Sequence, residues 1–202
     1  MAKVNITTGI FLILCLCIGC RNTVNKKIYF PSGKLKTSYT VSAKDTNMII
    51  GTYKSYFENG GIMEEVSYKE GKQEGERKIY FESGKINIIE NYKQGIYEGK
   101  YLKYNEDGSK DVEGYYTNNA MSGEWIYYFN TPKNSIKERV HFKDNMENGS
   151  FKEFYPNGTL YAEGNYVDEK EQGWVTVYDS SGHAIQKIMY VDGFPKEREK
   201  LE

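Results

Sequence analysis

The chain has little of what most enzymes and disulfide-built proteins need. Histidine occurs only at His141 and His183, and neither has a partner at zinc-ligand spacing. The three cysteines, Cys15, Cys17 and Cys20, all fall within the first twenty residues, so no disulfide framework can hold the rest of the chain. No phosphate-binding glycine loop, serine elbow or zinc motif is present. The apolar run Ile10 to Ile18 has nine residues, too short for a transmembrane span. Charge of one sign is also missing. With 27 basic and 28 acidic residues there is no field to attract nucleic acid or an acidic membrane surface. A mean hydropathy of −0.70 fits a structure too thin for a deep core.

Glycine and aromatics are what the chain has in quantity, and both recur with a period. Gly51, Gly75, Gly99, Gly123, Gly149 and Gly173 open successive copies spaced 24, 24, 24, 26 and 24 residues apart. Site six of each copy is aromatic: Tyr56, Tyr80, Tyr104, Tyr128, Phe154 and Tyr178. So is site eighteen: Tyr68, Tyr92, Tyr116, Phe142, Tyr166 and Tyr190. A turn glycine follows site six by four residues, except in the fourth copy, where Thr131-Pro132-Lys133-Asn134 replaces it and two extra residues are absorbed in a loop.

Each copy reads as a β-hairpin. Two short aromatic or β-branched runs flank an Asn-Gly, Ser-Gly or Asp-Gly turn that supplies the positive φ a tight hairpin requires. A polar, glycine-rich second loop, such as Glu70 to Gly75, joins one hairpin to the next. Helix is excluded, because the runs are short and glycine recurs about every dozen residues. One hairpin is marginal in water, so the copies must stack. The aromatic sites then form ladders, with tyrosine rings buried and hydroxyls reaching water.

The expected organisation is a leader over 1–19, a tether over 20–27, and a partial copy with an irregular loop over 28–50. Six copies follow over 51–74, 75–98, 99–122, 123–148, 149–172 and 173–193. A charged tail over 194–202 frays or forms a short helix and caps the array. The fold class is all-β: an elongated single-layer antiparallel sheet of stacked hairpins.

The pattern Gly-x-aromatic-x-x-Tyr-aromatic-x-x-Gly, clearest at Tyr80 to Lys85 and Phe154 to Leu160, resembles the MORN repeat in its bacterial variant, often given an antitoxin-like label. The resemblance covers about residues 28–193. It implies a single-layer sheet and protein or membrane-lipid binding, without catalysis or cofactor. Cys17-Ile18-Gly19-Cys20 resembles a bacterial lipobox, with Cys20 the lipidated residue and Cys17 where leucine is usual. That likeness implies a lipoprotein anchored to a membrane through Cys20. Arg21, where aspartate would signal inner-membrane retention, implies the outer membrane. The mature chain would carry a charge of about −2, from 26 basic and 28 acidic residues once Lys3 leaves with the leader.

Several side chains are candidates for a role. Glu64-Glu65, Asp168-Glu169 and Glu171 are acidic, and a solvated face accounts for them. His183 stands in a turn and His141 on a strand. Tyr101, Trp125, Phe151 and Trp174, near the copy starts, are candidates for an aromatic binding row on the face opposite the ladder; the alternative is a twisted sheet that wraps both aromatic sets inside. Phe57, Phe81, Phe129 and Tyr155 directly follow the site-six aromatics. The expected function is a non-enzymatic binding or scaffolding module for an envelope protein or polymer. A spacer without a stable partner and an intracellular antitoxin-like protein are the alternatives.

Overall fold

In the computed structural model, residues 22–131 and 133–201 are described; the leader, Cys20 and Arg21 lie outside them. Among the described residues there is no helix and every strand pairing is antiparallel. The first hairpin is β1 (Thr23–Tyr29) and β2 (Leu35–Ser42). Copy one supplies β3 (Ile49–Tyr56) and β4 (Ile62–Lys69), and copy two β5 (Lys72–Tyr80) and β6 (Ile86–Lys93). Copy three supplies β8 (Gly99–Tyr104) and β9 (Lys110–Thr117), preceded by the short β7 (Ile96–Tyr97). Copy four gives β10 (Ala120–Tyr128) and β11 (Ile136–Lys143), and copy five β12 (Met146–Phe154) and β13 (Leu160–Val167). The short β14 (Lys170–Glu171) leads into β15 (Gly173–Tyr178) and β16 (Ala184–Val191), and β17 (Phe194–Lys200) ends the sheet.

The strands follow one another across the sheet in chain order. β7 and β8 both pair with β6, and β14 and β15 both pair with β13, so each couple is one strand broken by a single residue. The 17 segments therefore fill fifteen positions in an up-and-down meander.

Turn chemistry explains why the meander never pauses. The turn after site six is closed at both ends, as where Phe57 N–H donates to Gly61 O and Gly60 N–H to Phe57 O. The second loop is not a linker. It is a two-residue turn with positive φ at both positions: Glu70 52° and Gly71 78°, Asn118 51° and Asn119 67°, Asp144 52° and Asn145 71°. That is the turn whose twist matches paired strands, so hairpin joins hairpin without a break in the sheet.

Two expectations change here. The polar residues 23–27, read as tether, are part of β1, and the tail is the strand β17 rather than a helix or a frayed end. In both, hydrogen bonding to one neighbour holds residues whose side chains are all exposed. Residues 43–48, between β2 and β3, form the turn where the period is interrupted.

Candidate binding surface

Strand alternation divides each copy between two faces. One face carries site three and its cross-strand partner at site sixteen: Tyr53↔Val66, Tyr101↔Gly114, Trp125↔Val140, Phe151↔Gly164 and Val175↔Ile188. Trp125, Val140, Phe151, Ala162 and Val175 form the buried cluster, with Tyr116, Phe142, Tyr166 and Tyr190 of site eighteen packed against it. Tyr101 and Trp125 stack with ring centroids 5.5 Å apart, Tyr116 meets Trp125 edge-on at 5.2 Å, and Phe151 lies 4.7 Å from Tyr166.

Glycine is used on this face for space. A Cβ on Gly114 would stand 2.3 Å from Trp125 Cδ2, and one on Gly164 would stand 2.8 Å from Phe151 Cε1. Neither glycine has a positive φ. The large rings of one strand lie in the gaps that the glycines leave on the next.

The site-six tyrosines lie on the other face, and the two aromatic sets do not share a ladder. Their hydroxyls do not simply reach water either. Tyr80 Oη donates to Glu65 Oε1 at 2.7 Å, Tyr178 Oη to Glu163 Oε1 at 2.7 Å, and Tyr128 to Glu113. Each bond ties site six of one copy to site fifteen of the copy before. In copy five site six is Phe154, without a hydroxyl, and site fifteen of the preceding copy is Arg139 instead of a glutamate. Burial and the Glu65 bond push the Tyr80 hydroxyl up to about 12. The Tyr80 bond holds Glu65 below the usual carboxylate range, and the Tyr178 bond does the same for Glu163.

Among the six copies, sites three and sixteen carry charge in copy two, where they are Arg77 and Glu90. Arg77 Nε bonds Glu64 Oε1 and Nη1 bonds Glu90 Oε2, both at 2.8 Å. Glu90 is 7% exposed and also accepts from Tyr92 at 3.3 Å and Tyr97 at 3.2 Å. Further along this face, Glu138 and Glu153 are directly opposite. Burial and the Glu153 and Glu147 charges raise the Glu138 carboxyl, burial and Glu169 raise Glu147, and burial and Glu153 raise Glu171.

The four candidate aromatics are not brought together as an exposed row. Trp125 and Phe151 are each 3% exposed, at the centre of the packed cluster. Tyr101 is half-buried beside them, and burial pushes its hydroxyl up to about 12. Trp174, at 38% exposed, is the surface member. It stands at site two, one residue before the buried Val175, and therefore on the opposite face, where Met189 is its cross-strand partner. The other aromatic set divides as well: Phe57 lines a hollow near the first hairpin, while Tyr155 Oη donates to Tyr178 O at 2.9 Å.

The acidic candidates separate in the same way. Glu64 and Glu65 face opposite sides, one bonded to Arg77 and the other to Tyr80 and Lys54. Asp168 accepts from Asn148 at 2.9 Å, and Glu169 occupies a tight turn. His141 Nδ1 lies 3.2 Å from Ser150, and His183 Nδ1 lies 3.5 Å from Asp179. Among the described residues no three His, Cys, Asp or Glu side chains converge as metal ligands. Sequence reasoning missed the tyrosine–glutamate bonds, though their signal was there: a glutamate fifteen residues before tyrosine at 65/80, 113/128 and 163/178.

Comparison with known proteins agrees with this architecture. The family model described as MORN repeat variant matches residues 50–70, 73–94 and 147–168. Those three stretches are similar to that family's repeat, and the copies between them fold in the same frame. No sequence among the curated proteins matches the chain. A solved structure, the crystal structure of TcdB2-TccC3-Cdc42, aligns with 82% of this chain and 12% of that one at 12% identity and a TM-score of 0.20. The present chain thus spans about an eighth of that chain's length, in a superposition too loose to support an argument.

Proposed function

We propose that the chain is an exported, lipid-anchored repeat module that binds or holds a partner at the cell envelope and performs no chemistry. The observation that carries the reading is the use made of the titratable groups. Glu65, Glu113 and Glu163 hold the tyrosines of neighbouring copies, and Arg77 joins Glu64 to Glu90. These groups fasten the array together. The likeness to the MORN repeat variant supports a binding role, and the lipobox-like leader supports anchoring through Cys20 to the outer membrane. No helix among the described residues is long and apolar enough to cross a membrane.

Of the residues first considered for contact with a partner, Trp174 is the one this reading retains, with Met189 beside it. Labelling with palmitate in cells should mark the wild type and leave Cys20→Ser unlabelled; equal labelling would remove the anchor. Crosslinking in the native envelope should yield a defined adduct that Trp174→Ala weakens without unfolding the array. An unchanged adduct would take Trp174 out of the binding surface.

A second reading has its own support. Fifteen strand positions about 4.8 Å apart extend roughly 67 Å, enough to hold another body away from a membrane. A pure spacer would give no defined adduct. An intracellular antitoxin-like protein would take up no palmitate in either form.

A further inference from the structure

The balance of 27 basic and 28 acidic residues is not kept along the sheet. Residues 22–44, the first hairpin and the start of the connection after it, hold Lys26, Lys27, Lys34, Lys36 and Lys44 and no Asp or Glu. With Lys3 and Arg21 lying before them, 20 basic and all 28 acidic residues are left for 45–202. All five lysines are exposed, and among the described residues none has a carboxylate at ion-pair distance. Inward from β1, neither β2 nor β3 contains an acid. The first strand carboxylates are Glu64 and Glu65 of β4. They stand three strand spacings, or roughly 14 Å, from β1. Physiological salt screens charge over about 8 Å, so they do not cancel the field at this edge. Asp45 and Glu58 are in connections at the strand ends.

The same edge exposes apolar groups. Val24 is 39% exposed, Ile28 48% and Tyr29 55%. Lys26 is the cross-strand partner of Tyr39, whose ring lies 5.8 Å from that of Tyr53. Alternation therefore puts Val24, Lys26 and Ile28 on the ladder face, and Lys27 and Tyr29 on the other. Cationic and apolar side chains flank the edge on both sides. The far edge, β17, is different: Glu197 and Glu199 alternate with Lys196, Arg198 and Lys200.

We infer that the β1 edge rests on an anionic bilayer surface, with the sheet standing up from it. A small anion needs donors that converge, and these lysines are divided between two faces. A soluble polyanion would use the charge and leave Val24, Ile28 and Tyr29 in water. A bilayer interface uses both. Lysine heads meet the lipid phosphates, while the tyrosine and the aliphatic side chains enter the headgroup layer. The outer backbone groups of β1, which pair with no strand among the described residues, stay hydrated at that depth, so the contact is interfacial. The rest of the chain, with its acidic excess, is repelled by the same surface and stays above it. The inference deepens the anchoring reading, because β1 starts three residues after Cys20. The lysines act whether or not that cysteine carries lipid.

The test is co-sedimentation of the full chain with vesicles of phosphatidylcholine alone, and of phosphatidylcholine and phosphatidylglycerol in equal parts. Every protein carries Cys20→Ser, so a failed anchor reading leaves the result standing, and the apolar leader is common to all. Each lysine near an anionic leaflet is worth about fivefold in partition. The wild-type edge should bind the anionic vesicles far more tightly than the neutral ones, and added salt should weaken that binding. Lys26→Gln with Lys27→Gln should lower partition onto anionic vesicles about 25-fold with Tm unchanged. Lys196→Gln with Lys200→Gln, at the far edge, should leave it unchanged. Val24→Ser with Ile28→Ser should weaken it at least about threefold. Equal binding to both vesicles, no loss in the Lys26 and Lys27 variant, or an equal loss at the far edge overturns the inference. Full retention in the Val24 and Ile28 variant also overturns it, and assigns the charge to a soluble polyanion.

Discussion

Gly114→Ala adds one methyl group, and its effect separates a packed core from a binding face. The new Cβ would stand 2.3 Å from Trp125 Cδ2, 2.4 Å from Cε2 and 2.7 Å from Cγ. None of these atoms can yield without moving the whole indole, which is 3% exposed and held by an Nε1–H bond to Tyr115 O at 3.2 Å. Forcing extra volume into a filled site costs about 1–3 kcal/mol, and expelling a buried tryptophan costs about 3–5 kcal/mol. The expected destabilisation lies between these limits, about 2–4 kcal/mol. Alanine would otherwise be better than glycine in a strand by about 0.5–1 kcal/mol, so the sign itself is diagnostic. The assay is urea unfolding followed by far-ultraviolet circular dichroism, which reads all four members of the cycle. In Trp125→Val the clash is gone, and adding Gly114→Ala there should cost nothing, giving a coupling near 3 kcal/mol. If Gly114→Ala alone changes stability by less than about 0.5 kcal/mol, the indole is not seated on that glycine and the reasoning fails.

Other outcomes follow from the same geometry. Arg77→Met strands the buried Glu90 carboxylate and should cost about 2–4 kcal/mol, whereas Arg77→Tyr with Glu90→Val, the pairing of Tyr53 and Val66, should be neutral or stabilising in urea melts. Glu169 holds a φ of 66° at a turn position where the equivalent residues include Gly71, Gly95 and Gly193, so Glu169→Gly should raise stability by about 1 kcal/mol in thermal melts. The Glu138 carboxyl lies above its unfolded value near 4.5, so the native state binds more protons than the unfolded state just above that pH, and stability falls as pH rises through the window. Glu138→Gln should therefore gain about 0.5 kcal/mol at neutral pH and flatten that slope. Glu65 and Glu163 lie below their ordinary values and act with the opposite sign. Their contribution is present above the unfolded value and is lost as pH falls through the folded one, which acid titration of Tyr80→Phe and Tyr178→Phe should show as reduced acid sensitivity.

The repeat and the strand order were legible because glycine and site spacing report backbone conformation directly. Gly60, Gly84 and Gly108 lie where a turn demands positive φ, and the structure gives them 93°, 84° and 93°. The distribution of side chains between faces was much less legible. Each copy has an irregularity at sites five and six, such as the register shift between Ile79 and Tyr80, and another near the copy start. A bulge changes the parity on which counting depends. Site six therefore parts from site eighteen, although both are aromatic. Trp125 and Trp174 look equivalent in composition, yet they sit at sites three and two. A single residue along a strand sends one into the core and the other into solvent. The tail misled for another reason. Phe194 to Lys200 has the polarity of a frayed end, but β16 offers it a full row of backbone partners.

Each copy leans on its neighbours through the same register, which makes the copies interchangeable. Excision tests this most directly. Removing residues 75–98 deletes β6, β7 and the part of β5 from Gly75 on, with Arg77 and Glu90, joins Lys72–Glu74 to Gly99, and leaves sites sixteen and three of the new neighbours, Val66 and Tyr101, to meet across the junction. Circular dichroism with thermal melting should show a β-sheet protein that still unfolds cooperatively, while removal of residues 75–86, half a copy, should destroy the fold. An unfolded full-copy deletion, or a well-folded half-copy deletion, would contradict the account.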